Sequence, residues 1–148
     1  MTDAAPDLER RRALVLARTR LERPPVVPEL VLHLADDIVE PWESLEKELD
    51  AGELPPPFWA FAWLGGQAIA RYVLDHRDEV AGRRVLDLAT GSGLCALAAR
   101  LAGARDVLAA DIDPFVEAAV SRNADANGLT VDVTIDDLLE RLRTAAAP

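Results

Sequence analysis

Apolar residues along the second half of the chain alternate between two spacings. Val85-Leu86-Asp87-Leu88 is a short, apolar-dominated run after Gly82-Arg83-Arg84 and reads as a strand buried in a parallel sheet. Leu94, Leu97, Ala98 and Leu101 then recur at helical spacing. The alternation repeats: Val107-Leu108-Ala109-Ala110 is a second strand, followed by a helix through Val116, Ala119, Val120 and Asn123 that is entered at Asp113-Pro114 and closed by Asn127-Gly128. Thr130 to Ile135 is a third strand, and Leu138 to Arg143 a last helix. Strands at Arg84 to Leu88, Asp106 to Ala110 and Thr130 to Ile135, separated by helices, predict an α/β fold: a parallel sheet flanked by helices through right-handed crossovers.

The first half is less regular. Leu8, Arg12, Val15 and Ala17 between Asp7 and Leu21 predict a solvated accessory helix capped by Asp7 and stopped by Pro24-Pro25. Glu29 to Leu34 is apolar enough for a strand. Asp36 to Asp50 is acidic, with Trp42, Leu45 and Leu49 at helical spacing after Pro41, the pattern of a solvated helix with an apolar seam; an acidic rim that attracts lysine is the functional alternative. Leu54-Pro55-Pro56-Pro57 is a stiff connector that aims the aromatic run Phe58, Trp59, Phe61 and Trp63, and Gly65-Gly66 opens a helix carrying Ile69, Tyr72, Val73 and His76. The division expected is 1–56 as an N-terminal helix and cap segment and 57–148 as the α/β core, in one compact unit with the cap over the C-terminal edge of the sheet.

Composition narrows the partners. A chain of 148 residues with 50% hydrophobic and 28% charged residues has the makeup of a globular domain. Its net charge of −10 argues against nucleic acid and against an anionic membrane surface, and favours a basic partner. Cys95 is the single cysteine, so no intrachain disulfide forms, and its place in a helix suits a small core residue better than a reactive thiol. Ala13 to Ala17 is too short an apolar run for a secretory leader or a membrane span, and Asp3, Asp7 and Glu9 disfavour a transit peptide, so a cytoplasmic location is expected. His33 and His76 lack the neighbours a metal site needs, and no metal is expected.

Chemistry concentrates where the first of the three strands ends. Gly91-Ser92-Gly93 makes a tight turn into a helix, and free N–H groups at a helix start attract anionic or polar groups. Gly91-Ser92-Gly93-Leu94-Cys95-Ala96 also fits the loose dinucleotide pattern, which keeps a nucleotide-dependent oxidoreductase open. Asp87 weighs against it, because a carboxylate beside the turn repels a pyrophosphate and suits a cationic or hydroxyl-bearing ligand such as S-adenosylmethionine. Asp111 ends the next strand, 20 residues after Gly91, where it can accept hydrogen bonds from ribose hydroxyls. Structural alternatives stand beside these readings: Asp87 as a turn cap and Asp111 as a helix N-cap.

Three segments carry a resemblance: Pro57 to Ala68, with its Phe-Trp-Ala-Phe-Ala-Trp-Leu-Gly-Gly run; Val85 to Gly93; and Ala110-Asp111-Ile112-Asp113-Pro114. Together they resemble class I methyltransferases, within them the lysine methyltransferases of the electron transfer flavoprotein β subunit and, more distantly, ribosomal-protein methyltransferases. The resemblance runs from about Pro28 to Leu139. It implies a Rossmann-like fold, S-adenosylmethionine as cofactor, methyl transfer to nitrogen and a protein lysine as acceptor, electron transfer flavoprotein being the candidate. It also implies cofactor contacts from Asp87, from the turn Thr90, Gly91, Ser92 and Gly93, from Asp111 with Ile112, and from Trp63. Asp136 and Asp137 stand where such enzymes often place a group against the adenine amino nitrogen, with an N-cap as the competing role. No residue suggests itself as a general base. Nothing matches the family's fourth and later strands, so the fold is expected to be C-terminally incomplete, with an unpaired sheet edge that favours self-association and with little transfer activity. A catalytically silent cofactor-binding or partner module therefore stays open.

Overall fold

The computed structural model describes residues 7–37, 43, 47 and 55–146. Helix α1 (Leu8–Arg18) starts where Asp7 accepts the Arg10 N–H. It stops at Arg18, short of Leu21, because Thr19 turns extended and the next residues form a hairpin of β1 (Arg20–Glu22) and β2 (Leu32–Leu34). The strand expected from Glu29 is thereby shortened. A 3₁₀ turn at Phe58–Ala60 leads to α2 (Leu64–Asp75), and His76 ends that helix. The seam of the expected acidic helix, Trp42, Leu45 and Leu49, lies outside the described residues, as does Leu54 of the proline connector.

The sheet follows. Strands β3 (Arg84–Leu88), β4 (Asp106–Ala110) and β5 (Asp132–Thr134) run parallel in that order, joined by α3 (Leu94–Leu101) and α4 (Pro114–Asn127), with α5 (Leu138–Ala145) after β5. The third strand is shorter than Thr130 to Ile135 because β5 pairs with β4 at only three positions. Asp113 caps α4 through the Phe115 N–H with Pro114 in the first turn, and Gly128 closes it with φ 62°.

Two apolar clusters hold the layers together. Val107, Ala109, Phe115, Val116 and Val120 pack with Ala96 and Ala99 of α3, and Trp59 stacks on Phe115 at 5.9 Å. Leu14 and Val15 of α1 are buried in the same cluster, so α1 is a packed element and not a solvated one. Arg11 joins it to α4 by donating to the Pro114 carbonyl and pairing with Glu117 at 3.1 Å. In the second cluster Val27, Leu30 and Leu32 meet Leu74 of α2 and Leu97 of α3. Residues 7–37 therefore flank α4, α2 and α3, whereas the carboxyl end of the sheet is covered by the segment around Phe58.

Alternation along β3 separates two faces. Val85 packs with Val107 and Ala109 against the helices, while Leu86 and Leu88 on the opposite face are 53% and 46% exposed. Parallel sheets are ordinarily covered on both faces. Among the described residues, β4 is the only strand paired with β3. No helix among the described residues is long and apolar enough to cross a membrane.

Candidate functional site

Adjacent strands β3 and β4 deliver two carboxylates to the same end of the sheet. Beyond Asp87 the chain reverses through Ala89, Gly91 and Gly93 at φ 58°, 54° and 81°. These left-handed angles suit glycine and strain alanine. At Gly93 space is limiting as well: a Cβ there would lie 3.0 Å from Val120 Cγ2. Gly93 also occupies the N-cap of α3 and brings no side chain, and Asp87 supplies what it lacks, its Oδ2 accepting the Ala96 N–H at 3.0 Å and the Thr90 hydroxyl at 2.5 Å. Burial pushes the Asp87 carboxyl upward, against the lowering effect of those two bonds. The capping role is thus real, yet both bonds converge on one oxygen and leave acceptor capacity on the other.

Asp111 ties the second loop to the first. Its Oδ2 accepts the Gly91 N–H at 3.0 Å, and its Oδ1 accepts the N–H groups of Ile112 and Asp113 at 2.8 and 3.2 Å. The helix N-cap is Asp113. Burial, with Asp111 close by, pushes the Asp113 carboxyl up to about 6, opposed by its bond from Phe115 and by Arg11.

The third wall is aromatic. Trp63 precedes α2 and is 49% exposed; its Nε1 donates to the Phe58 carbonyl at 2.9 Å, and its ring meets Phe58 and Phe61 at 5.7 and 5.5 Å. Between these walls lies a cavity of about 800 Å³. It brings together Trp63, Asp87, Thr90, Gly91, Ser92, Asp111 and Ile112, while Gly93 stands behind the turn and shapes it. Asp136 and Asp137 do not line it: Asp136 pairs with Arg141 at 2.8 Å, and Asp137 caps α5 through the Glu140 N–H. Phe58, Phe61, Ile69, Ala89, Cys95 and Asp113 also line the cavity. The aromatic run signalled Phe58 and Phe61, whereas nothing in the composition marks an alanine for a left-handed turn. Burial, with Asp87 nearby, pushes the Cys95 thiol up to about 12, which keeps it protonated and unreactive at neutral pH. Among the described residues no group of three His, Cys, Asp or Glu side chains could hold a metal ion.

Residues 68–146 match the family model for ribosomal protein L11 methyltransferase (PrmA). The chain belongs to that family. Among its PrmA-type relatives, the electron transfer flavoprotein β-subunit lysine methyltransferase of Rattus norvegicus is 40% identical over 104 residues, covering 70% of this chain and 40% of the rat protein. That of Xenopus laevis is 37% identical over 131 residues, covering 88% and 52%. The chain thus spans about half or less of the length of these curated relatives. A Streptococcus mutans structure assigned to the SAM-dependent methyltransferases superposes with a TM-score of 0.51 at 18% identity, covering 64% of this chain and 24% of that one, a likeness of fold. The Rossmann-like parallel sheet flanked by helices, which the resemblance implied, is the one found.

Proposed function

We propose that the cavity binds S-adenosylmethionine and that the chain serves methyl transfer to nitrogen, with a protein lysine as acceptor. The observation that carries this is the charge of the walls: among the described residues the lining includes Asp87, Asp111 and Asp113 and no lysine, arginine or histidine. Such a site attracts an ammonium and a sulfonium and repels the pyrophosphate of a dinucleotide. In this reading Asp87 is the counter-charge beside the turn, Asp111 accepts from ribose hydroxyls with the capacity its three N–H bonds leave, and Ile112, Thr90 and Ser92 shape the surrounding contact. Trp63, with Phe58 and Phe61, excludes water and offers ring faces to a cation. Asp136 and Asp137 stay outside the lining, held by their local bonds.

When bound, S-adenosylmethionine supplies an electrophilic methyl on a leaving group that is already activated. What remains for the protein is to orient an unprotonated amine in line with it and to keep water out. The acceptor assignment draws on the names of the rat and Xenopus relatives, which make electron transfer flavoprotein the first substrate to test. Calorimetric titration with S-adenosylmethionine, S-adenosylhomocysteine and NAD tests the site itself. The two sulfur ligands are expected to bind more tightly, and tighter NAD binding overturns the reading.

Among the described residues, the exposed Leu86 and Leu88 and the edge of β3 that meets no partner strand support a second reading, a cofactor-binding module that self-associates and is silent in catalysis. Labelled methyl transfer to lysine-bearing proteins, run beside sedimentation velocity, separates the two. Transfer by a monomeric chain removes the second reading.

A further inference from the structure

Helix α4 grips two distant parts of the chain with neighbouring asparagines. Asn123 is wholly buried at 0% exposure; its Nδ2 donates to the Ser92 carbonyl at 2.8 Å, and its Oδ1 accepts the His33 N–H of β2 at 2.7 Å. One turn on, Asn127 brackets Val31, its Oδ1 accepting the Val31 N–H at 2.9 Å and its Nδ2 donating to the Val31 carbonyl at 2.6 Å. Among the described residues the β1–β2 sheet has two strands, and along the outer edge of β2 and of Val31 just before it these side chains meet groups that a third strand would otherwise take. Ala35 continues the line by donating to the Ala60 carbonyl at 2.9 Å.

Only Asn123 also reaches the glycine turn. The Ser92–Gly93 peptide unit is clamped at both ends, its carbonyl by Asn123 and its N–H by the Thr90 carbonyl at 3.0 Å. Val120, one turn before Asn123 on the same helix, fills the space behind Gly93. Without the Asn123 donor a buried carbonyl loses its partner, and turning that peptide toward water is the direct way to satisfy it. Such a rotation reorients the turn and the entry to α3. We propose that Asn123 is a positioning residue for the cofactor turn, and that the β1–β2 hairpin acts on cofactor affinity through it. This rests on the reading of the cavity as a site for S-adenosylmethionine.

Asn127 supplies the control, because Asn127→Ala severs two bonds to Val31, the residue before β2, and one to the Asn123 carbonyl of its own helix, without touching the turn. Asn123→Ala and Asn123→Ser are compared with it, the serine variant keeping a buried hydroxyl in case the alanine cavity prevents folding. Two readouts are taken: S-adenosylhomocysteine affinity by calorimetry, and exchange of the Gly91 and Gly93 amides in the ligand-free protein. The Asn123 variants are expected to lose at least tenfold in affinity and to exchange at least tenfold faster at both glycines, with Asn127→Ala within twofold of wild type in each. Exchange that accelerates as expected in a protein whose wild type binds no S-adenosylhomocysteine refutes the cofactor reading and leaves the clamp standing. Unchanged exchange in the Asn123 variants, or an equal effect in Asn127→Ala, overturns the positioning role.

Discussion

Replacing Asp113 by asparagine should stabilise the protein at neutral pH and abolish part of its pH dependence. The side chain accepts the Phe115 N–H at 2.8 Å through one oxygen, which the amide can reproduce, so the cap survives. What changes is the charge. Burial, with Asp111 nearby, raises the folded-state value to about 6 from an ordinary 3.8. Well below pH 3.8 the carboxyl is protonated in both states and the folded form carries no penalty. As the pH rises the unfolded chain releases its proton first, and stability falls until the folded carboxyl ionises near 6. At 1.36 kcal/mol per pH unit, the 2.2-unit gap corresponds to about 3 kcal/mol lost between pH 4 and pH 6. Urea unfolding of wild type and Asp113→Asn at pH 4, 5, 6 and 7 measures this. The two should differ by only about 0.5 kcal/mol at pH 4 and diverge to about 3 kcal/mol in favour of the variant at pH 7. Parallel curves, or a variant that is less stable at pH 7, would refute the assignment of an unfavourable buried charge to this position.

Further outcomes are expected around the cavity. Asp111→Asn should weaken S-adenosylhomocysteine binding by about 1.5–3 kcal/mol, read by calorimetry beside a melting curve; unchanged affinity would leave Asp111 with only its structural bonds to Gly91, Ile112 and Asp113. Trp63→Phe should remove most of the cofactor-induced change in tryptophan emission, since Trp63 is 49% exposed at the cavity whereas Trp59, which also lines it, is held buried against Phe115; an undiminished change would move the responding ring elsewhere. Ala89→Gly should stabilise the fold by about 0.5–1 kcal/mol in urea titrations, because relief of the left-handed strain, about 1–2 kcal/mol, exceeds the entropic cost of glycine, about 0.4–1 kcal/mol. A less stable glycine variant would sink that account.

The parts of the fold that were legible have punctuation at both ends. Strands β3 and β4 keep their predicted bounds because each is an apolar run closed by an acid and a turn, and α4 is fixed by Asp113-Pro114 and Gly128. The glycine turn and the two strand-end acids stood out because few residues tolerate those positions. Burial of α1 was hidden by its arginines: the pattern reads as solvated, yet Arg11 satisfies its charge against Glu117 while Leu14 and Val15 enter the core. Asp136 and Asp137 were ambiguous for a related reason, since a carboxylate before a helix serves as a cap or a ligand equally well on sequence alone. The left-handed Ala89 and the asparagine grip on β2 depend on tertiary neighbours, and no local pattern announces them.

The contact between Arg11 and Pro114 spans 103 positions, and this has a consequence for the order in which the chain takes shape. Helix α1 has 11 residues, too few to be stable alone in water. At about 5–20 residues per second of synthesis, its docking surface on α4 follows it by roughly 5–20 s. Through that interval Leu14 and Val15 have nowhere to go. Helix α1 is therefore made well before it can dock, and until α4 emerges Leu14 and Val15 remain an exposed apolar pair that invites chaperone capture.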